Sequence, residues 1–458
     1  MSNSLIRYKY SSNSNRICIR YSSILLSKGV GAFGCLGQGN GPDALNDSND
    51  FKPVEFTPSL LSDSEYVIQT SAGWGHSLAV TNHGSLYVFG RPYDFSNILQ
   101  INRIRTLSHG IARLVSKHSN WFGIKHNNNN ETISNDIEKD GGIYTSPMKV
   151  DVNNEHVLEA KASAGLSVLR TKSGSIYCFG LNRWGQCGTE NKNNGHIYKP
   201  TKIVVPKQPK FMAFDVGLQH SLAVTENGDI YAWGKGNRGQ LGNGDGDTSA
   251  KPVLVKLKAP KGTNFKSFET VNVSTGFNHS VALTKDGQVF IWGKGMSDVL
   301  KTNTKFYEDQ ITPRLLTFPI GIKAIEVCSS NFCTVIRCNN GSLWAVGMSE
   351  YDRSMIINPV PVFAPIPDHE DSNNVEKFPD VPLVIPSSAK LFKGHQRVVV
   401  FYDNNTSNKI DVYEIILHQG EAFAKELDIS VPSASSSSSS STVLDYSHGW
   451  QHSLILVK

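Results

Sequence analysis

The sequence predicts an all-β protein, a seven-bladed β-propeller whose closing blade is shared by the N- and C-termini. Three observations predict it. A short motif returns seven times along 458 residues. Glycine is abundant (39), aromatics are plentiful (7 Trp, 15 Tyr, 21 Phe), and long Ala/Leu/Glu/Lys stretches are missing. Finally, the last motif stops where its turn belongs, and its missing half stands near the other end. Many short strands joined by glycine turns fit this composition, whereas a helical bundle does not.

The motif is Gly-x-x-His-Ser, an apolar run, Thr, a glycine turn, then apolar-aromatic-Gly. Clear copies begin at Gly73 (with His76), Gly217 (with His220), Gly276 (with His279) and Gly449 (with His452). They lead to strand ends such as Tyr231-Ala232-Trp233-Gly234 and Phe290-Ile291-Trp292-Gly293. Degraded copies carry Leu166, Cys333 or Arg397 in the histidine place. Starts at 73, 163, 217, 276, 330, 394 and 449 give a period of mostly 54–64 residues, as propeller blades do. Asn82-His83-Gly84, Glu226-Asn227-Gly228 and Lys285-Asp286-Gly287 are hairpin turns, glycine supplying the positive φ. Prolines at Pro53, Pro200, Pro252 and Pro313 mark a further strand at its start or on an outer edge, because proline lacks the ladder donor.

Ring closure follows from the ends. Val30-Gly31-Ala32-Phe33-Gly34 and Gly37-Gln38-Gly39 resemble Tyr231–Gly234 and Gly239-Gln240-Leu241-Gly242. The expectation is a blade with one strand from the C-terminus and the rest from the N-terminus, which removes exposed sheet edges.

These residues resemble the regulator of chromosome condensation repeat family, over about residues 29–458. The resemblance implies a seven-bladed propeller. It leaves function open: the best-known member is a nuclear guanine nucleotide exchange factor for the small GTPase Ran. Others act in mitochondria, in ribosome assembly, on mitochondrial GTPases, or as interaction platforms.

Charge is unevenly placed. Residues 1–28 hold Arg7, Lys9, Arg16, Arg20 and Lys28, eight serines and no acid. The remainder has 40 Lys+Arg against 40 Asp+Glu, so no global positive field points to general nucleic-acid binding. A basic, Ser-rich, acid-free start reads as a mitochondrial transit peptide; the alternative is a disordered tail. The longest apolar runs, such as Val398–Tyr402, fall short of a membrane helix, so no integral membrane segment is expected. Seven cysteines without a C-x-x-C pair argue against a secreted disulfide scaffold.

Each candidate site also has a structural reading. His76, His220, His279 and His452 repeat around the ring with Gly73, Gly217, Gly276 and Gly449, which suits blade packing rather than three or four convergent metal ligands. The glycines of Gly239–Gly244 lack the Gly-Lys-Ser/Thr of a phosphate loop and read as a turn. Cys328, Cys333 and Cys338 alternate faces of an extended strand. No cofactor, metal or catalytic constellation is expected.

The insertion 91–146 is the more informative feature, because repeat scaffolds carry function on loops. Residues 91–126 hold Arg91, Arg103, Arg105, Arg113, Lys117 and Lys125 against Asp94 alone. Arg103, Arg105, Arg113 and Lys117 are the candidate partner-binding residues, for RNA, a phosphate-bearing surface or an acidic protein. The structural alternative is a solvated loop. Residues 433–441 form a low-complexity serine linker. The favoured reading is a noncatalytic mitochondrial binding platform supporting ribosome or RNA–protein assembly. The alternative is a guanine nucleotide exchange factor for a small or dynamin-like GTPase, mitochondrial or nuclear.

Overall fold

The computed structural model describes residues 23–458 apart from 32–33, 40–45, 57–59, 63, 93–123, 126–142, 191–194, 259–267, 300–306, 364–381, 405–408, 428, 430–442 and 451. Every named element is a strand. Six blades follow one another in the chain. Blade 1 is Val67–Ala72, His76–Thr81, Leu86–Gly90 and Ile143–Val150, with Ile124–Lys125 added alongside the last. Blade 2 is Val157–Ala162, Leu166–Thr171, Ile176–Leu181 and His196–Lys202; blade 3 is Phe211–Val216, His220–Thr225, Ile230–Gly234 and Ser249–Val255. Blade 4 is Thr270–Thr275, His279–Thr284, Val289–Gly293 and Gln310–Leu315. Blade 5 (Ala324–Ser329, Cys333–Cys338, Leu343–Met348, Met355–Phe363) and blade 6 (Lys390–Lys393, Val398–Asn404, Lys409–His418, Glu421–Glu426) join into one eight-stranded sheet. Their outer strands meet in parallel at Val362–Ala422 and Phe363–Phe423.

Each blade is an antiparallel meander for reasons written locally. The second strand, His-Ser-Leu-Ala-Val-Thr in blades 1 and 3, is buried along its whole length between neighbouring blades. A three-residue turn follows, with Gly84, Gly228 and Gly287 at φ 77°, 80° and 83°. The strand-end threonine closes the turn: Thr81, Thr225 and Thr284 accept from the amides of Ser85, Asp229 and Gln288 at 3.2, 3.2 and 3.0 Å. Prolines 200, 252 and 313 lie in the outermost strands, where the register slips past Gly180, Gly234 and Gly293. A bulge at an edge is where a residue without an N–H costs least.

Seven apolar clusters, one at each blade–blade boundary, form the core. At the boundary that closes the ring, Leu25, Leu454 and Leu456 pack on Val67, Ala79, Tyr87 and Phe89 of blade 1. On its other side Leu26, Tyr446 and Ile455 pack on Val399, Phe401 and Val412 of blade 6. Innermost strands are also tied side by side. The Thr70 amide donates to Asp445 (2.6 Å), the Ala160 amide to Gln69 (2.8 Å), the Thr275 amide to Asp215 (2.7 Å) and the Ser329 amide to Ser274 (2.9 Å).

The closing blade corrects two expectations. It takes two strands from each end: Val443–His448 and His452–Val457, then Ile24–Gly29 and Ser48–Pro53. The strand missed is the innermost one, which precedes the Gly-x-x-His turn in every blade. Pairing also uses residues 24–29, not 30–39. Gly29 faces His452 as Gly234 faces His220, which makes Gly29 the strand-end glycine. The turn is therefore Gly34-Cys35-Leu36-Gly37: Gly37 N–H donates to Gly34 C=O as Gly242 does to Gly239. Ser27 Oγ donates to the Leu36 carbonyl at 2.6 Å, as Cys178 Sγ does to Cys187 at 2.6 Å. The strand end falls five residues before Gly34, at Gly29, where Lys28 fills the place of Trp233 and the aromatic-Gly pattern is absent.

Two boundaries move with it. Ile24–Lys28, counted above in the N-terminal segment 1–28, belong to the closing blade. Ile143–Ser146, counted in the insertion, belong to the outer strand of blade 1. Most of the insertion and the serine linker lie outside the described residues.

Candidate functional site at the turn face of the ring

The seven turns between first and second strands gather at one end of the channel. Each is closed by the same backbone bond: Gly73 to His76, Ser163 to Leu166, Gly217 to His220, Gly276 to His279, Ser330 to Cys333, Gly394 to Arg397 and Gly449 to His452, at 2.8–3.0 Å. Neighbouring turns are bonded as well. Trp450 N–H donates to Gly73, Trp74 to Ser163, Phe277 to Asn331 and Asn331 to His395. This crowding explains the motif glycine. A methyl on Gly217 would stand 2.5 Å from the Gly276 carbonyl oxygen, and one on Gly276 would stand 2.6 Å from that of Ser330.

The histidines form a girdle just beneath. Nε2 of His452, His76, His220 and His279 reaches the hydroxyl of the next blade: Ser77 (2.8 Å), Ser167 (3.0 Å), Ser280 (2.8 Å) and Thr334 (3.0 Å). The paired Ser of the motif is therefore the acceptor for the preceding blade's His. Ser77 and Ser280 in turn donate to the carbonyls of Cys35 and Gln240, both at 2.8 Å. A hydroxyl has one proton, and a carbonyl only accepts, so His452 and His220 donate through Nε2–H. Burial holds these imidazoles neutral, lowering His76, His220 and His452 to about 3 and His279 to about 4. They are blade-to-blade ties. Among the described residues no group of three or more His, Cys, Asp or Glu could hold a metal.

Where the histidine is replaced, the contact changes. Leu166 joins the apolar boundary of blades 2 and 3. Cys333 is buried, its thiol pushed up to about 11 by burial. Arg397 turns into a cleft between blades 5 and 6, where it meets Glu414 (2.5 Å), Glu350 (3.3 Å) and the Tyr351 hydroxyl (2.6 Å).

A charged bridge crosses the channel. Lys393, on the inner strand of blade 6, reaches across to blades 3 and 4. Its Nζ donates to Asp215 Oδ2 (2.8 Å), Val216 O (2.9 Å) and Thr275 O (2.7 Å). Lys161 of blade 2 approaches the other Asp215 oxygen at 3.4 Å. Burial raises the Asp215 carboxyl, but Lys393 and Lys161 outweigh it and hold the group well below the usual carboxylate range. Above the bridge, Trp74 Nε1 donates to His395 Nδ1 at 3.2 Å, and the Trp74 and Trp450 rings lie 5.2 Å apart. Burial lowers His395 to about 4, which keeps Nδ1 free to accept. Sequence reasoning missed Lys161, Asp215 and Lys393. Each stands one or two residues before its turn, a signal visible in alignment, but their pairing spans blades.

Arg103, Arg105, Arg113 and Lys117 lie outside the described residues. Their loop leaves blade 1 after Gly90 and returns at Ile143, at the same end of the ring as the turns, and the Arg91 amide donates to Gly75 O at 2.7 Å.

This is a closed ring of four-stranded blades whose repeat residues hold blade to blade, with the variable loops and an aromatic rim on one face. Models of the Regulator of chromosome condensation (RCC1) repeat match residues 173–224 and 227–283, and a second RCC1 repeat model matches 67–94 and 213–240. The chain is a propeller that carries RCC1-type repeats at residues 67–94 and 173–283. It is 39% identical over 126 residues to the X-linked retinitis pigmentosa GTPase regulator of Canis lupus familiaris, which covers 27% of this chain and 12% of that protein. Human WBSCR16 superposes with a TM-score of 0.62 at 16% identity, covering 96% of this chain and 99% of that one. Prp20p from Saccharomyces cerevisiae superposes with a TM-score of 0.60 at 15% identity, covering 95% and 91%. At these identities the two structures share the fold.

Proposed function

We propose that this propeller is a noncatalytic binding platform, working in mitochondria in the assembly of ribosomes or related RNA–protein particles. The observation that carries the reading is positional. The loop bearing six basic residues against one acid between 91 and 126 joins blade 1 on the face that holds the aromatic rim. The motif residues are occupied in holding blades together, so recognition falls to this variable loop. An acid-free segment with Arg7, Lys9, Arg16 and Arg20 precedes the first strand, which supports mitochondrial delivery.

The test is imaging of a C-terminally tagged full chain, with pull-down and mass spectrometry. Mitochondrial signal and recovery of ribosomal proteins or RNA are expected. In a salt series, Arg103→Ala/Arg105→Ala/Arg113→Ala/Lys117→Ala weakens capture and flattens the salt slope if RNA is bound. Equal capture by parent and variant overturns the role of the loop.

A second reading, nucleotide exchange on a GTPase, is favoured by the relatives. One is named a GTPase regulator, and Prp20p is described with binding properties toward Gsp1p and histones. Exchange distorts the partner's nucleotide site and requires no nucleophile in the propeller. Recovery of one GTPase, released by added nucleotide, selects this reading over the first.

A further inference from the structure

The boundary between blades 5 and 6 has lost both members of the tie. At four other boundaries a motif imidazole reaches a Ser or Thr of the next blade. Here Cys333 stands in the histidine place and Val398 in that of the serine. Cys333 is shorter than an imidazole, and Val398 has no acceptor to offer. What remains at the turn end of this boundary is a cleft of about 210 Å³, open to solvent and lined by Phe332, Cys333, Met348, Glu350, Arg397 and Leu417 among others. Its walls are mostly apolar, and its narrow part has room for about one water-sized group.

The cleft holds one carboxylate in excess. Arg397 meets Glu414 at 2.5 Å and Glu350 Oε2 at 3.3 Å, so one guanidinium serves two carboxylates. The other oxygen of Glu350, Oε1, is buried and has no hydrogen-bond partner. Burial raises the Glu350 carboxyl, and Arg397 offsets only part of this. A buried carboxylate oxygen without a donor is costly, so the site favours a donor that brings positive charge. Water is a poor occupant, because it needs about two to four polar partners, and the walls beside Oε1 are Phe332, Met348, Ile415 and Leu417. Around the opening, Glu350, Glu414, Asp352 and Glu421 stand against Arg397, Arg353 and Lys425, so the excess is not cancelled.

We infer that this cleft binds the primary ammonium of an unbranched alkyl chain, the ammonium donating to Glu350 Oε1 while the methylenes lie on Met348, Ile415 and Leu417. An ammonium is compact and carries three donors, whereas a planar guanidinium is too wide for the narrow part of the cleft. Lysine-type groups are therefore selected over arginine-type ones. Two sources carry this chemistry, a lysine side chain of a partner protein and a free alkylamine. The site goes beyond the platform reading. It stands between blades 5 and 6, away from the basic loop of blade 1, and its test does not involve that loop.

The probe is n-butylammonium chloride, titrated at constant ionic strength into the full chain with isotope-labelled methionine methyl groups and followed by NMR. Saturable movement of the Met348 signal is expected, with the Met148 and Met212 signals unmoved. Tetramethylammonium and methylguanidinium should bind at least tenfold more weakly. Glu350→Gln keeps the shape of the cleft and should weaken butylammonium at least tenfold. Cys333→Leu fills the cleft with the residue type that blade 2 carries at this place, Leu166, and should abolish binding with every charge intact. It decides the question if the Gln variant does not fold, and melting temperatures report folding for both. The peptide acetyl-Gly-Lys-Gly-amide separates the sources: binding tighter than butylammonium assigns the cleft to a protein lysine, and weaker binding assigns it to a free amine. An unmoved Met348 signal overturns the site. So does equal binding of tetramethylammonium or methylguanidinium, or unchanged binding in either folded variant.

Discussion

His220 Nε2 lies 2.8 Å from Ser280 Oγ in the next blade, and the Ser280 hydroxyl donates a hydrogen bond to the Gln240 carbonyl of the blade His220 came from. The pair thus stitches blade 3 to blade 4 twice. Replacing His220 with Ala leaves a buried hydroxyl short of its donor and should cost about 1–3 kcal/mol. Denaturant melts check the loss, and partner capture per folded molecule should match the parent.

The girdle also sets an acid limit. His76, His220 and His452 titrate at about 3 and His279 at about 4 when folded, against an ordinary 6.5. Folded values below the unfolded ones mean that the unfolded chain takes up protons first. Stability is complete above about pH 6.5 and falls as pH drops towards 4, by about 1.4 kcal/mol per pH unit for each histidine. Asp445, raised by burial to about 6 from 3.8, acts in the opposite sense between those values and cancels one histidine. Chemical denaturation between pH 7 and pH 4 should show this slope, flattened by His220→Gln.

Lys393 holds blades 3, 4 and 6 through one ammonium. Lys393→Met leaves Asp215, 3% exposed, with Lys161 as its remaining cation. Loss of one partner from a buried pair typically costs 3–5 kcal/mol; with Lys161 still present, about 2 kcal/mol is expected. A double-mutant cycle with Asp215→Asn measures the coupling and should return most of that figure.

Closure predicts an asymmetry between two truncations. Removing residues 1–22 leaves every described strand intact and should not move the melting temperature. Removing residues 1–29 deletes the strand that pairs with His452–Val457, exposes a sheet edge and should give aggregation. Deleting 449–458 should behave like the longer truncation. Size-exclusion chromatography of the three proteins distinguishes these outcomes.

Gly276 has no room for a side chain between the Ser330 carbonyl and the His279 ring, whereas a methyl on Gly195 would meet nothing. Gly276→Ala should therefore lower stability by about 1–3 kcal/mol, the usual range for overpacking, and Gly195→Ala should leave it nearly unchanged.

The sequence alone determined the ring. Seven copies of the motif set seven blades, because glycine turns and second strands with an apolar centre are local, periodic signals that need no partner to be read. It also showed that the two ends share a blade. Its error there, five residues of register, came from reading the aromatic-Gly strand end as obligatory when Lys28-Gly29 occupies that place. Tertiary structure decided what the repeated polar residues do. His220 and Ser280 are 60 residues apart and meet only because adjacent blades stack face to face. Lys393 and Asp215 are 178 residues apart and meet only across the channel. Ile68, Leu158, Met212 and Ile325, each at a bulge in an innermost strand, look like ordinary core positions in the sequence. They are exposed because the innermost strand of a closed ring has a channel, not another strand, on its far side.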